Sequence, residues 1–139
     1  DHIEGPHGIS FVNSAGNEGE MHGHVSSPGM AYNAITVGAV NITGENIGNY
    51  SNYVNGGTSG CAKPDVMAPD GYYGLNGTSF SAPVVSGIIA QLMEYKPALK
   101  TRSRLVKAVL TASCGYKAEE SELAGLTEKE GAGGLLFGR

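Results

Sequence analysis

Residues 79–95 constrain the fold most. Val85, Ile88, Ile89 and Leu92 recur at i, i+3, i+4 and i+7, the spacing of one helix face, and most positions between them are small. A helix that is apolar or small on most sides needs cover on most sides. It therefore belongs inside a layered fold and not on an open surface. Pro83 falls in the first turn, where amides lack an intrahelical acceptor, and Lys96-Pro97 ends the helix.

The segments before it follow the other period. Ile9-Ser10-Phe11-Val12-Asn13-Ser14-Ala15 is β-prone and stops at the turn residues Gly16-Asn17-Glu18-Gly19. Ala34-Ile35-Thr36-Val37-Gly38-Ala39-Val40 is nearly all apolar, as in a strand covered on both faces of a parallel sheet. Residues 41–60 are rich in Gly, Asn and Ser and read as surface loop. Asp65-Val66-Met67-Ala68-Pro69 gives a third extended piece ended by proline. After the helix, Thr101 reads as the N-cap of a second one, whose apolar face Leu105, Val106, Val109 and Leu110 opposes Arg102, Arg104 and Lys107. Residues 131–137 read as a turn entering a short strand. Strands alternating with helices predict an α/β fold around a mainly parallel sheet, in one domain over residues 1–139.

Composition narrows the function. Glycine, 22 of 139 residues, is at about twice its usual share of roughly 7%, which suits sites built from loops on such a scaffold. Nine Lys and Arg against 13 Asp and Glu give a net charge of −4 with no basic stripe, so nucleic acid is not expected as a partner. The most apolar run, residues 82–93, falls short of the ~18 residues that a membrane span needs. Cys61 and Cys114 either form one disulfide or stay separate. Their spacing is neither a redox motif nor a zinc site.

The chemistry concentrates in Asn76-Gly77-Thr78-Ser79-Phe80-Ser81-Ala82-Pro83. A serine opening a buried helix sits near unsatisfied amides and the positive end of the helix dipole, where a developing oxyanion is stabilised. Taken alone, Ser79 fits an ordinary N-cap. Asn17 at the end of the first strand supplies an amide of the kind an oxyanion hole uses, or is simply a turn residue. An α/β-hydrolase reading fails, because Ser81 replaces the second glycine of Gly-x-Ser-x-Gly and all four histidines precede Ser79. His22-Gly23-His24 lacks a third evident ligand, and no metal site is expected there.

Together the two motifs resemble those of the subtilisin-like serine peptidases, the subtilases. Gly77-Thr78-Ser79-Phe80-Ser81-Ala82-Pro83 is similar to the signature around their nucleophile, and Ala15-Gly16-Asn17-Glu18-Gly19 to their oxyanion-hole segment. The strand of residues 34–40, Tyr50-Ser51-Asn52 and Lys63-Pro64-Asp65-Val66-Met67-Ala68-Pro69 match the family's run in order. The resemblance covers about residues 8–115. It implies a three-layer subtilisin-like fold and a serine endopeptidase acting on peptide or protein substrates. Ser79 would be the nucleophile and Asn17 the oxyanion donor, with Gly77, Thr78 and Gly16 supporting them. It also implies a secreted or cell-envelope location and allows calcium in the intact domain, although no ligand set is recognisable.

One departure matters. The family's Asp and His motifs precede the Ala-Gly-Asn segment by a long stretch, whereas this chain begins 16 residues before Asn17. His7-Gly8 imitates the histidine motif but leads directly into the strand before Asn17, and Asp1 lacks its Thr/Ser-Gly neighbours. The expectation is the C-terminal part of a catalytic domain, inactive alone, with an uncovered sheet edge through which it could self-associate. The alternative is a non-catalytic binding or structural module derived from a subtilase.

Overall fold

The β-prone runs become parallel strands. In the computed structural model, which describes residues 8–19, 24–54, 62–116 and 129–135, β1 (Val12–Ser14) pairs with β2 (Ile35–Val40), and β2 with β3 (Val66–Pro69), both in parallel. On the far side β4 (Cys114–Tyr116) runs antiparallel to β5 (Gly134–Leu135), which is parallel to β3. The order is β1-β2-β3-β5-β4.

Every residue of β2 is buried, as a central strand covered on both faces requires. Ile35, Val37, Val66 and Ala68 alternate onto one face. Val85 and Ile89 of α1 (Thr78–Tyr95) and Val106 and Leu110 of α2 (Ser103–Ser113) join them in the core. On the opposite face the Thr36 hydroxyl donates to Gly29 O at 2.6 Å, and Gly38 lies against Met67 and Pro64. The sheet is thus mainly parallel with flanking helices, and among the described residues loop segments cover its second face.

Four expectations need correction. Pro83 lies inside α1, as its sixth residue counted from Thr78, and not in its first turn. Thr101 does not cap α2: a 3-10 turn over Pro97–Thr101 absorbs it, and the Arg102 N–H closes that turn on Leu99 O at 3.0 Å. Proline sets a helical φ directly after α1, so the chain starts a new turn before α2 begins. Leu105, assigned to the apolar face, is 43% exposed, whereas Val106 and Leu110 are buried. Nor is α1 covered on most sides, since Ser79, Phe80, Pro83, Ser86, Gly87 and Ala90 are exposed. On its free edge β1 has no strand partner among the described residues. Asp1, His2, His7, His22 and Cys61 lie outside the described residues.

Candidate active site

The parallel sheet brings the two motifs to one edge, as the carboxyl ends of its strands do in open α/β folds. Gly16-Asn17-Glu18-Gly19 leaves the end of β1, and the loop from β3 to α1 ends at Gly77-Thr78-Ser79. Gly16 is required there. Its φ is +110°, and a Cβ would collide with the Asn52 side-chain amide. Gly77 has φ +141° and turns the chain into α1.

The start of α1 has no cap from its own sequence neighbours; more distant side chains supply it. The Gly77 N–H donates to Asp70 Oδ2 at 2.6 Å, and the Thr78 N–H donates to Asn17 Oδ1 at 2.9 Å. Thr78 is fully buried, and its hydroxyl accepts from the Gly16 N–H (3.2 Å) and donates to Asn17 Oδ1 (3.0 Å). Phe80 N–H closes on Gly77 O at 2.8 Å. Of these leading amides, that of Ser79 has no acceptor among the described residues. Its side chain is exposed, at the helix end where partial positive charge gathers.

Asn17 is oriented by these bonds. With Oδ1 taken by the Thr78 N–H and hydroxyl, its Nδ2 remains as a donor beside Gly77, with no acceptor among the described residues. The segment is pinned from behind by Asn52, which is 1% exposed and whose Oδ1 accepts from the N–H groups of Glu18 and Gly19, both at 2.9 Å. Asn52 Nδ2 donates to the Glu18 carboxylate, which folds back to accept the Asn17 N–H at 3.1 Å. The Asn52 amide, followed by backbone N–H donors, holds the Glu18 carboxyl below the usual glutamate range.

Beneath the loop lies a buried carboxylate. Asp70 is 2% exposed, and its Oδ2 accepts from the Tyr50 hydroxyl as well as from Gly77. Burial, then the hydrogen bond to Asp70 and its charge, raise the Tyr50 pKa well above the ordinary tyrosine value. Ser79 also opens onto a groove of about 450 Å³, lined by Val12, Asn13 and Ser14 of β1 and by Ser79, Ala82, Pro83 and Ser86 of α1. The groove therefore runs along the uncovered edge of the sheet.

Ser79, Asn17, Gly77, Thr78 and Gly16 converge here. Sequence reasoning missed Asn52, Asp70 and Tyr50 as members of the same constellation. Tyr50-Ser51-Asn52 was visible as a motif but carried no stated role. An acidic residue directly after Pro69, seven positions before Gly77, was the available signal for Asp70. Among the described residues no three His, Cys, Asp or Glu side chains converge into a group that could hold a metal ion.

Comparisons with known proteins bear on the family and the fold. The model of the subtilase family matches residues 2–133. Pyrolysin of Pyrococcus furiosus is 31% identical over 131 aligned positions, which take in 67% of this chain and 9% of that protein. Among solved structures, the prenylagaramide maturation protease PagA superposes with a TM-score of 0.69 at 24% identity, over 93% of this chain and 48% of its own. The epidermin leader peptide processing serine protease of Staphylococcus aureus does so with a TM-score of 0.65 at 20% identity, over 91% of this chain and 38% of its own. The chain thus spans less than half the length of each of these proteins.

Proposed function

This chain belongs to the subtilase family, and from that footing we propose that it is the C-terminal part of a serine endopeptidase domain whose nucleophile is Ser79. One observation carries the reading. At the start of α1 the Gly77 and Thr78 amides are taken by Asp70 and Asn17, while the Ser79 amide and the Asn17 Nδ2 stay open beside an exposed serine. That is the donor pair an acyl-transfer oxyanion needs.

The chemistry follows from the groups present. Ser79 Oγ attacks the scissile carbonyl carbon, and its proton passes to an imidazole supplied by chain N-terminal to this sequence. The carbonyl π pair moves onto oxygen, which the Ser79 N–H and Asn17 Nδ2 stabilise. The C–N bond then breaks, the imidazolium proton leaves with the amine, and water hydrolyses the acyl-serine by the same steps. Without that imidazole the 139-residue chain is inactive, because a serine hydroxyl is a weak nucleophile at its own pKa.

The imidazole has to arrive beside Ser79, and the open groove along β1 and α1 gives the segment that bears it a place to sit. That segment would cover the free edge of β1 and the exposed side of α1. The isolated chain would expose both surfaces and self-associate through them. Among the described residues no helix is long and apolar enough to cross a membrane. The secreted or cell-envelope location that the family resemblance implies belongs to the same proposal.

The deciding experiment treats the full-length parent protein with a fluorophosphonate and maps the adduct. Modification at Ser79, lost in Ser79→Ala, is the expected result. Modification at another serine removes the assignment, and absence of any adduct favours the non-catalytic module.

A further inference from the structure

The loop before the nucleophile is short, and it is held at both ends by one residue, through its main chain at one end and its side chain at the other. Asp70 follows directly after β3, and its own N–H donates to Val40 O at 2.9 Å, which ties it to the end of β2. Its carboxylate reaches across the loop to the N–H of Gly77 at 2.6 Å, the residue whose φ of +141° sets the entry into α1. Within the loop the Gly71 N–H closes on Leu75 O and the Gly74 N–H on Gly71 O. The same carboxylate oxygen accepts from the Tyr50 hydroxyl, and Tyr50 lies two residues before the Asn52 that pins the Asn17 segment.

A buried carboxylate needs donors, and both of these come from parts of the site. Hydrogen bonds to an ionised acceptor are short and directional. An ion at the start of a helix also gains from the helix dipole. The Gly77 peptide is thereby fixed in orientation, and with it the Ser79 amide and hydroxyl two residues on. Because Tyr50 grips the same oxygen, the segment bearing Asn52 and the turn bearing Ser79 are referenced to one point.

Resting on the reading of Ser79 as nucleophile, we propose that Asp70, buttressed by Tyr50, is a positioning residue of this peptidase, holding the Gly77 turn so that the Ser79 amide and hydroxyl keep their reactive geometry. Asp70 touches neither substrate nor the reacting atoms; it acts through Gly77. Small displacements of reacting groups cost up to about 100-fold in rate, so the effect belongs in kcat and not in KM.

The test uses the full-length parent protein, titrated to completion with a fluorophosphonate so that rates are counted per reactive serine. Asp70→Ala should lower kcat and the rate of phosphonylation by about tenfold to a hundredfold at nearly unchanged KM. Asp70→Asn keeps an oxygen acceptor in place and should recover most of that loss. Tyr50→Phe should lose about fivefold, the size expected for one hydrogen bond. A residue that merely stabilised the fold would lower the melting temperature and the number of titratable sites while leaving kcat per site intact. An unchanged kcat per site in Asp70→Ala, or an Asp70→Asn variant as slow as Asp70→Ala, overturns the proposal. Should Asp70→Ala not fold, Tyr50→Phe decides, and parent speed per site there overturns it as well. A Ser79→Ala control separates the two failures. If that variant stays active, the reading of the site falls; if it is silent while Asp70→Ala runs at the parent rate, only the brace falls.

Discussion

The two ends of the parallel strands are held by different chemistry. At the carboxyl ends, oxygens of Asn17, Asn52 and Asp70 accept main-chain N–H groups of Thr78, Glu18, Gly19 and Gly77. At the amino ends, Asp65 lies between two lysines, 2.7 Å from the fully buried Lys63 and 2.7 Å from Lys107 of α2. Both ammonium groups also donate to Ala34 O at 2.9 Å, and the Thr36 N–H donates to Asp65 Oδ2 at 2.8 Å. A bond to a peptide N–H fixes the direction in which that peptide points. A carboxylate shared by two cations fixes which elements meet, here β2, β3 and α2. The difference teaches that the site end is organised for orientation and the far end for cohesion, so damage to each should appear in a different measurement.

The sharpest contrast is Asn17→Ala. Loss of one oxyanion donor lowers turnover by about 100 to 1,000-fold, a magnitude that comes from subtilisin itself. KM should shift little, and loss of the bonds that Asn17 makes to the buried Thr78 should cost the parent protein only about 0.5–2 kcal/mol of unfolding free energy. Steady-state kinetics beside a denaturant titration check this. A variant that lost stability but kept kcat would merge the two ends into one structural role.

Asp65→Ala should do the reverse. Removing one partner of a buried ion pair costs about 3 kcal/mol, and Lys63 has no solvent access through which to recover hydration. The unfolding free energy of the parent should fall by about that amount, with kcat per titrated site unchanged. A drop in kcat per site would mean that the far end also orients the catalytic groups.

The two ends were not equally legible in the sequence. Ser79 and Asn17 stood out because each motif holds its functional residue together with the glycine that its backbone requires, so the signal is local. Asp70 was hidden because its partners are Tyr50, twenty residues back, and Gly77, seven ahead; only the folded loop brings them together. Lys63 and Asp65 stand in a recognisable motif, but their convergence with Lys107 depends on where α2 docks. β4 was not anticipated, since Cys114–Tyr116 follows α2 directly and becomes a strand only by pairing with Gly134–Leu135. Which side of α1 is exposed is illegible for a related reason. Ser79, Pro83, Ser86, Gly87 and Ala90 are small whether or not anything packs on them, so their size alone does not show the cover.

Asn52→Ala tests the site end with a milder change. Asn52 is buried, and its loss leaves the amides of Glu18 and Gly19 without their acceptor, at about 1–3 kcal/mol. Hydrogen exchange at these two amides should accelerate while amides in α2 keep their protection. Uniform acceleration across the molecule would show that Asn52 supports the whole fold and not the Asn17 segment.

The smallest expected effect concerns acid. The Glu18 carboxyl is held below the usual glutamate range, chiefly by the Asn52 amide. A depressed folded-state pKa means that the fold prefers the charged form, so its contribution is complete above the ordinary glutamate range and is lost as pH falls through the lowered value. Glu18 is exposed, so water and salt screen the interaction, and global stability should barely respond. The local readout is cleaner. In an NMR titration of the parent protein, the Glu18 carboxyl should titrate below the exposed glutamates and return to their range in Asn52→Ala. The Asn17 amide, which donates to the same carboxylate, should shift along the same curve. A Glu18 that titrates like any surface glutamate would remove the charged bond from the site end. Orientation there would then rest on Asn52, Asp70 and Thr78 alone.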